Sequence, residues 1–283
     1  MSYGRHRTGI YQLDEALLGG IPPGICEVIG EDASGKSTLC FSVMREASVG
    51  GLPTALIHTE AFPSSGYIQA AGPKDLIAVI PNSMESAIES AYTLLDEGAM
   101  VITIDSLSST EPLCDQRLGV DERVPFAERK AAYHGLSFLR EEALKRGALI
   151  LVVNQLRVPV RDLVPKPSSA LEGTINRLCS VRIRTEREKT RNEYGSLAYL
   201  RVRFNIFRSM VCPPNSKSCG FLFSQRGFSR GFELMRVLLS SNILEQAGSY
   251  LRDPDGVSLG PGHIEAAEQI EKNFTKYWRY YNG

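Results

Sequence analysis

The run Gly30-Glu31-Asp32-Ala33-Ser34-Gly35-Lys36-Ser37-Thr38 holds the residue types and spacing best suited to chemistry. A glycine, four intervening residues and then Gly-Lys-Ser form a phosphate-binding pattern. Gly30 and Gly35 permit backbone angles and a close approach that a Cβ would block. Backbone N–H groups of such a loop, and of a helix that follows it, point at phosphate oxygens. Lys36 brings a positive charge to those oxygens, and Ser37 offers a hydroxyl to Mg²⁺. A surface glycine turn beside a chance Lys-Ser pair is the alternative. It fits poorly with the apolar run that ends at Gly30 and the apolar-periodic Leu39-Cys40-Phe41 and Met44 that follow. Strand, loop and helix in that order predict a nucleoside triphosphate site.

Ligands of open parallel sheets gather at the carboxyl ends of the strands, so residues just past apolar runs are the next candidates. Asp105 closes Val101-Ile-Thr-Ile104, where phosphate-loop ATPases carry an acidic residue that holds Mg²⁺ indirectly or through water. Its bland role would be to cap the following turn with Ser106. Glu60 follows the strand ending at His58, and a carboxylate there can take a proton from an attacking water. A solvated loop glutamate is the other reading. Asn154-Gln155 ends a further strand, and an amide can sense a γ-phosphate or merely satisfy a loop.

The elements that would position these groups alternate. A short helix at Leu13–Gly20, a strand into Gly30, a helix at about 36–49 and strands at Thr54–His58 and Leu76–Ile80 come first. A helix at 83–97, a strand at Met100–Ile104, a long helix at about 125–146 and a strand at Ala148–Val153 follow. Near-continuous apolar strands separated by helices imply an α/β, doubly wound, mainly parallel sheet covered on both faces. Cys179–Arg184, Leu197–Phe207 and Phe221–Phe223 then read as consecutive strands with little helix between them. From about 225 a small, largely helical module of α+β type ends in Ile264–Tyr281. The expected division is therefore an ATPase core over 1–224 and a small module over 225–283.

Composition sets outer limits. The 283 residues are 43% hydrophobic and 23% charged with zero formal net charge, which is ordinary for a globular chain with a sizeable core. No apolar run approaches a membrane span, and no signal-peptide core follows the N-terminus. The six cysteines lack CxxC spacing, and Cys26, Cys40 and Cys179 sit in apolar runs. Reduced thiols and a cytoplasmic location are expected, Cys212 and Cys219 included. Zero net charge argues for no nucleic acid by itself; the basic residues are clustered, and their distribution decides.

In order and at similar spacing, several stretches resemble the bacterial RecA recombinases. They are Ala16–Gly24, Gly30–Thr38, Ile104–Leu107, Val153-Asn-Gln-Leu-Arg157 and Ser180–Ile183, then Arg226–Leu234 and Ile243–Tyr250 in the tail. The resemblance runs from Thr8 to about Lys272. It implies a RecA-like fold with a RecA-like C-terminal module and hydrolysis of ATP with Mg²⁺. It also implies assembly into an oligomer or filament on single-stranded DNA, followed by pairing with double-stranded DNA. By the same resemblance, Glu60 is the water-activating carboxylate and Gln155 couples ATP to DNA binding. Tyr67 matches an aromatic that stacks on adenine, against the alternative of a helix residue packed on the core.

Two segments match the family's DNA loops. The first, Pro112–Val124, contains Arg117 and Arg123, with Arg129 on the helix behind it. The second, Leu156–Gly173, offers Arg157, Arg161 and Lys166 to phosphates and Val158 and Val160 as wedges between bases. A long connection inside a compact domain is usually functional or mobile, and its phosphate contacts would be salt-sensitive. Individual arginines can instead form surface ion pairs, such as Arg161 with Asp162 or Arg123 with Glu122. The run Arg182-Arg184-Arg187-Lys189-Arg191, punctuated by Glu186 and Glu188, reads as a solvated hairpin. Arg226, Phe228 and Arg230 suggest either a duplex-capture surface or structural phenylalanines.

The sequence also departs from the pattern. Only about seven residues precede the point where the resemblance begins, so the family's N-terminal assembly helix and strand are not expected. Phe204 and Ile206 occupy places where the family carries lysines toward a neighbouring protomer's ATP, leaving Arg203 or Arg208 as substitutes. Ser64 stands where an acidic residue would meet adenine, and the acidic tail is replaced by Lys276–Gly283. These departures keep open an alternative: an accessory or regulatory ATP-binding relative without strand exchange.

Overall fold

Each apolar run bounded by glycine or proline becomes a strand, and each stretch of helical apolar period becomes the crossover that follows. The computed structural model describes residues 4–59, 64–109, 127–157, 168–169, 172–188, 199–223 and 226–282. The chain opens with α1 (Tyr11–Ala16), β1 (Gly24–Gly30) and α2 (Lys36–Val49). β2 (Thr54–His58), α3 (Ser65–Ala71), β3 (Ile77–Val79), α4 (Met84–Asp96) and β4 (Val101–Asp105) follow. Next come α5 (Ala127–Arg146), β5 (Leu149–Arg157), the short β6 (Ser168–Ser169) and α6 (Glu172–Leu178). β7 (Cys179–Arg187), β8 (Tyr199–Ser209), β9 (Ser216–Phe223) and β10 (Gly227–Phe228) are nearly consecutive. The chain ends with α7 (Arg230–Ser240), β11 (Glu245–Ala247), β12 (Tyr250–Arg252), β13 (Ser258–Pro261), α8 (His263–Lys272) and α9 (Phe274–Asn282).

The main sheet runs β10-β9-β8-β7-β1-β5-β4-β2-β3, with β6 paired to β5. From β7 through β1 to β3 every pairing on this path is parallel, whereas β7 to β10 pair antiparallel. This is the α/β, mainly parallel architecture that the alternating pattern implies. β1, β2 and β4 are buried along their whole length. That is why they read as unbroken apolar runs rather than alternating ones.

Two apolar clusters cover the two faces. On one, Leu39, Phe41, Val43 and Met44 of α2 pack with Cys26 and Val28 of β1 and with Val181, Val202 and Phe204. On the other, α4, α5 and α6 supply Ile88, Leu95, Leu136, Leu139 and Ile175 against Ile25, Ile102 and Ile150. α2 is buried along most of its length, Lys36, Thr38 and Ser42 included, because it is enclosed rather than half-exposed. α4 starts where Ser83 accepts the N–H of Ser86 at 3.0 Å and Ser86 accepts that of Ser83 at 3.1 Å, a reciprocal cap.

A third cluster joins Tyr199, Phe221 and Phe223 of the antiparallel strands to Phe232, Leu238, Ile270 and Tyr277 of the C-terminal helices. Beside it lies a separate antiparallel sheet, β11-β12-β13. The module is therefore of α+β type, with more strand than a largely helical reading implies. Its three strands are only 3, 3 and 4 residues long, too short to show an apolar period.

Candidate active site

Gly30 is the hinge of the site. It ends β1 between two neighbours, opposite Gln155 of β5 and Thr185 of β7. A Cβ there would lie 2.3 Å from Thr185 Oγ1 and 2.4 Å from Ser34 Oγ, so only glycine fits. Those two hydroxyls meet at 2.6 Å and fasten the loop to β7. Ala33 and Gly35 turn the backbone through positive φ, 56° and 94°, and α2 begins at Lys36 without a side-chain cap. Lys36 is buried, and its Nζ donates to the carbonyls of Gly30 at 3.1 Å and Glu31 at 2.7 Å. Glu31, Asp32 and Ala33 stand exposed at the tip, with Ser37 half-buried at the start of the helix. An uncapped helix N-terminus behind a glycine turn is an anion-binding arrangement.

Tyr67 lies on α3, half-buried, with its hydroxyl hydrogen-bonded to Thr38 and its ring edge-on to Phe41 at 6.2 Å. Burial raises its pKa. Ser64 caps that helix, accepting the N–H of Tyr67. Sequence periodicity missed α3, a helix of only seven residues, and its position beside the phosphate-loop helix comes from packing.

The strand ends line up. His58 of β2 pairs with Asp105 of β4, and Asp105 with Val153 of β5. Asp105 is buried, and a cis peptide joins it to Ser106. Thr59 braces this corner: its N–H donates to the Asp105 carbonyl at 2.9 Å and its hydroxyl to the Ser106 carbonyl at 2.7 Å. Asn154 and Gln155 part company. Asn154 is wholly buried and turned into the sheet, while Gln155 is partly exposed at the strand end beside Gly30.

Sequence reasoning missed a group of charged residues under the site. Glu27, inside β1, accepts a hydrogen bond from Asn154 Nδ2 at 2.7 Å and another from Arg182 Nε at 2.5 Å. Arg182 also donates to Asn176 of α6, and its guanidinium lies 4.5 Å from the Phe207 ring centroid. Glu27 is 0% and Arg182 2% exposed, which corrects the reading of Arg182 as part of a solvated hairpin. The usable signal was a glutamate in one buried apolar strand and an arginine in another, since such charges must pair. Arg184 of that run does lie in a half-exposed ion pair with Glu186, and Glu188 pairs with Arg203 of β8; Lys189 and Arg191 lie outside the described residues. Phe204 and Ile206 are core residues, so neither reaches outward.

Glu60, Arg117, Arg123, Val158, Val160, Arg161 and Lys166 lie outside the described residues. Arg129 falls in α5 and Arg157 ends β5, with only their backbone described. The chain leaves β5 at Arg157 and returns at Ser168, its partner in register. In the C-terminal part Phe228 belongs to the first cluster, which favours the structural reading of that ring. Arg230 bonds Glu271 at 2.7 Å, approaches Glu46 of α2 at 3.4 Å and lies over Phe274. Arg226 pairs with Glu268.

Among the described residues no helix is long and apolar enough to cross a membrane, and the five described cysteines are free and buried. Burial pushes the thiols of Cys26, Cys40 and Cys179 well up.

Comparison with known proteins gives a consistent picture. The profile of the RecA N-terminal domain matches residues 4–229. Protein RecA of Bdellovibrio bacteriovorus is 26% identical over 276 residues, covering 95% of this chain and 73% of that protein. Protein RecA of Ehrlichia canis is 27% identical over 281 residues, 95% of this chain and 76% of its own length. Protein RecA 2 of Myxococcus xanthus is 25% identical over 272 residues, 94% of this chain and 76% of its own. The crystal structure of the RadB recombinase superposes with a TM-score of 0.59 at 21% identity, covering 79% of this chain and 98% of that one, a likeness of fold. With a loop-bounded helix start, an acidic residue and an amide at adjoining strand ends, and the profile spanning most of its length, this chain belongs to the RecA family.

Proposed function

We propose that this protein is a DNA-dependent ATPase acting in recombination, whose nucleotide site controls its grip on single-stranded DNA. The observation that carries the reading is the pairing of Gly30 with Gln155: the phosphate loop and the foot of the 158–171 segment are neighbours in one sheet. A phosphate near the loop therefore lies close to the amide from which that segment departs.

The residues present fit a triphosphate and its metal. Gly30 sits where a Cβ would be blocked, and α2 presents an uncapped N-terminus to the loop. Ser37 and Asp105 offer hard oxygen donors of the kind Mg²⁺ takes, and the ion would neutralise charge on the phosphate oxygens. Lys36, held at the base of the loop, supplies a positive charge from within the protein. Glu60 follows His58, the residue paired with Asp105, by two positions in the sequence and is assigned the role of general base for the attacking water. Tyr67 flanks the phosphate-loop helix and is assigned to the adenine side. Gln155 is assigned the role of sensing the γ-phosphate and passing its state to Arg157, Arg161 and Lys166, which hold DNA phosphates. Val158 and Val160 are assigned to contacts between bases. Arg117 and Arg123 of the first DNA loop, with Arg129 behind it, are assigned to further phosphate contacts. Pairing with double-stranded DNA and self-assembly complete the reading, with residues 1–224 as the ATPase core and 225–283 as a packed module.

A specific observation favours a second reading, an accessory relative without strand exchange. Phe204 and Ile206 are buried in the core, so no cation projects from those places toward a neighbouring protomer. One experiment separates the two: ATP turnover with and without single-stranded DNA, alongside oligonucleotide retention in apo, ADP and ATP-analogue states. Strong stimulation by DNA and retention only with the ATP analogue support the recombinase. Turnover indifferent to DNA supports the accessory protein.

A further inference from the structure

Glu27 occupies the middle of a strand whose seven residues are all buried, and it is the one charged residue in that strand. A buried ion pair is a poor device for stability, because desolvation offsets most of the attraction. Its placement is more informative. Asn154, on one oxygen, immediately precedes Gln155 and stands three residues before the end of β5. Arg182, on the other oxygen, carries the link on to Asn176, which lies in α6, the first helix after the 158–171 segment. We infer that Glu27 is a positioning residue that fastens both feet of the 158–171 segment to the strand bearing the phosphate loop.

The physical reason is that both carboxylate oxygens are engaged in a dry interior. Glu27 is three residues from Gly30 on a rigid strand. Any shift of β1 against β5 or β7 must stretch one of two short, charge-assisted hydrogen bonds. A bond broken there leaves a buried group unsatisfied, so the neighbouring strands follow β1 rather than slide past it. β5 carries one foot of the segment directly. Through Arg182 and Asn176, α6 carries the other.

The inference rests on the nucleotide site proposed above, and its test needs no DNA. Hydrogen exchange is measured on the full chain with and without a slowly hydrolysed ATP analogue and Mg²⁺. The proteins compared are wild type, Asn176→Ala and the apolar variant Glu27→Met/Asn154→Leu/Arg182→Met. Asn176 is only half-buried, so its truncation cuts the α6 link while the Glu27–Arg182 pair stays. The apolar variant removes the buried charges together, a replacement that folds tolerate well. In wild type the analogue is expected to slow exchange in peptides covering 30–38, 154–157 and 172–178. Asn176→Ala should bind the analogue as wild type does and lose the slowing only at 172–178. The apolar variant should lose it at both feet while 30–38 still responds. A wild type in which 172–178 ignores the analogue, or an Asn176→Ala with the full wild-type response, overturns the inference. Should all three regions respond as expected while wild type retains an oligonucleotide equally in every nucleotide state, the DNA reading falls and the fastening by Glu27 stands.

Discussion

The carboxylate of Glu233 sits at the start of α1, accepting the N–H groups of Tyr11 at 2.8 Å and Gln12 at 2.7 Å from more than two hundred residues away. Since α1 carries no side-chain cap of its own, α7 supplies it, tying the first helix to the last part of the chain. Burial pushes the Glu233 carboxyl from 4.5 up to about 8 against the opposing pull of those two N–H bonds. The folded protein thus holds this proton more tightly than the unfolded chain. The stability it contributes is complete below about pH 4.5 and is lost as pH rises through about 8. The slope is at most about 1.4 kcal/mol per pH unit. Asp14, raised to about 6 mainly by burial, acts with the same sign at lower pH. Melting temperatures of wild type and Glu233→Gln between pH 5 and 9 check this. The variant's profile should be flatter, and an equal slope would remove Glu233 as the titrating group.

Lys36→Ala should abolish ATP turnover, since it removes the buried cation held at the base of the loop. Glu60→Gln should leave nucleotide affinity within a few-fold and slow turnover by about 10²–10⁴-fold, the range for a missing general base. A fluorescent nucleotide titration beside a phosphate-release assay distinguishes them. If Glu60→Gln loses binding instead, the glutamate shapes the site rather than activating water.

Gly30→Ala tests the loop's packing. Its Cβ would come within 2.3 Å of Thr185 Oγ1 and 2.7 Å of the Thr185 carbonyl, and the latter is backbone that cannot swing away. Strain of about 1–3 kcal/mol is expected, seen as a lower melting temperature and weaker nucleotide binding. Adding Thr185→Ser should not rescue it, because the carbonyl and the hydroxyl both remain.

Arg157→Ala with Arg161→Ala should weaken retention of single-stranded DNA and lower the slope of log affinity against log salt by about 1.4, some 0.7 for each phosphate no longer neutralised. Fluorescence anisotropy across a salt series measures it. An unchanged slope would take the 156–173 loop out of the DNA site.

Much of this fold was legible because its central strands are buried on both faces. Thr54–His58 and Lys36–Val49 fall where the apolar runs and glycines put them. The phosphate loop was legible because glycine spacing there reports backbone geometry, which the close approach of Thr185 and Ser34 to Gly30 now explains. Legibility failed where structure depends on distant partners. Arg182 reads as one of several surface arginines until β1 is known to be its neighbour, since the sequence does not reveal which strand lies beside which. α3 and the strands β11 to β13 are too short for periodicity to register. Asn154 and Gln155 are adjacent and chemically alike, yet strand alternation sends one inward and leaves the other at the rim.

The third hydrophobic cluster draws rings from both sides of residue 224: Tyr199, Phe221 and Phe223 before it, Phe232 and Tyr277 after it. Tyr199 and Phe232 lie 5.2 Å apart, with Phe221 and Phe223 at similar distances from Phe232. A chain truncated there would bare an aromatic wall at one flank of its sheet and would aggregate rather than survive as a smaller enzyme. The tail is thus a keel as much as an appendage: heat or denaturant should melt both parts in a single step.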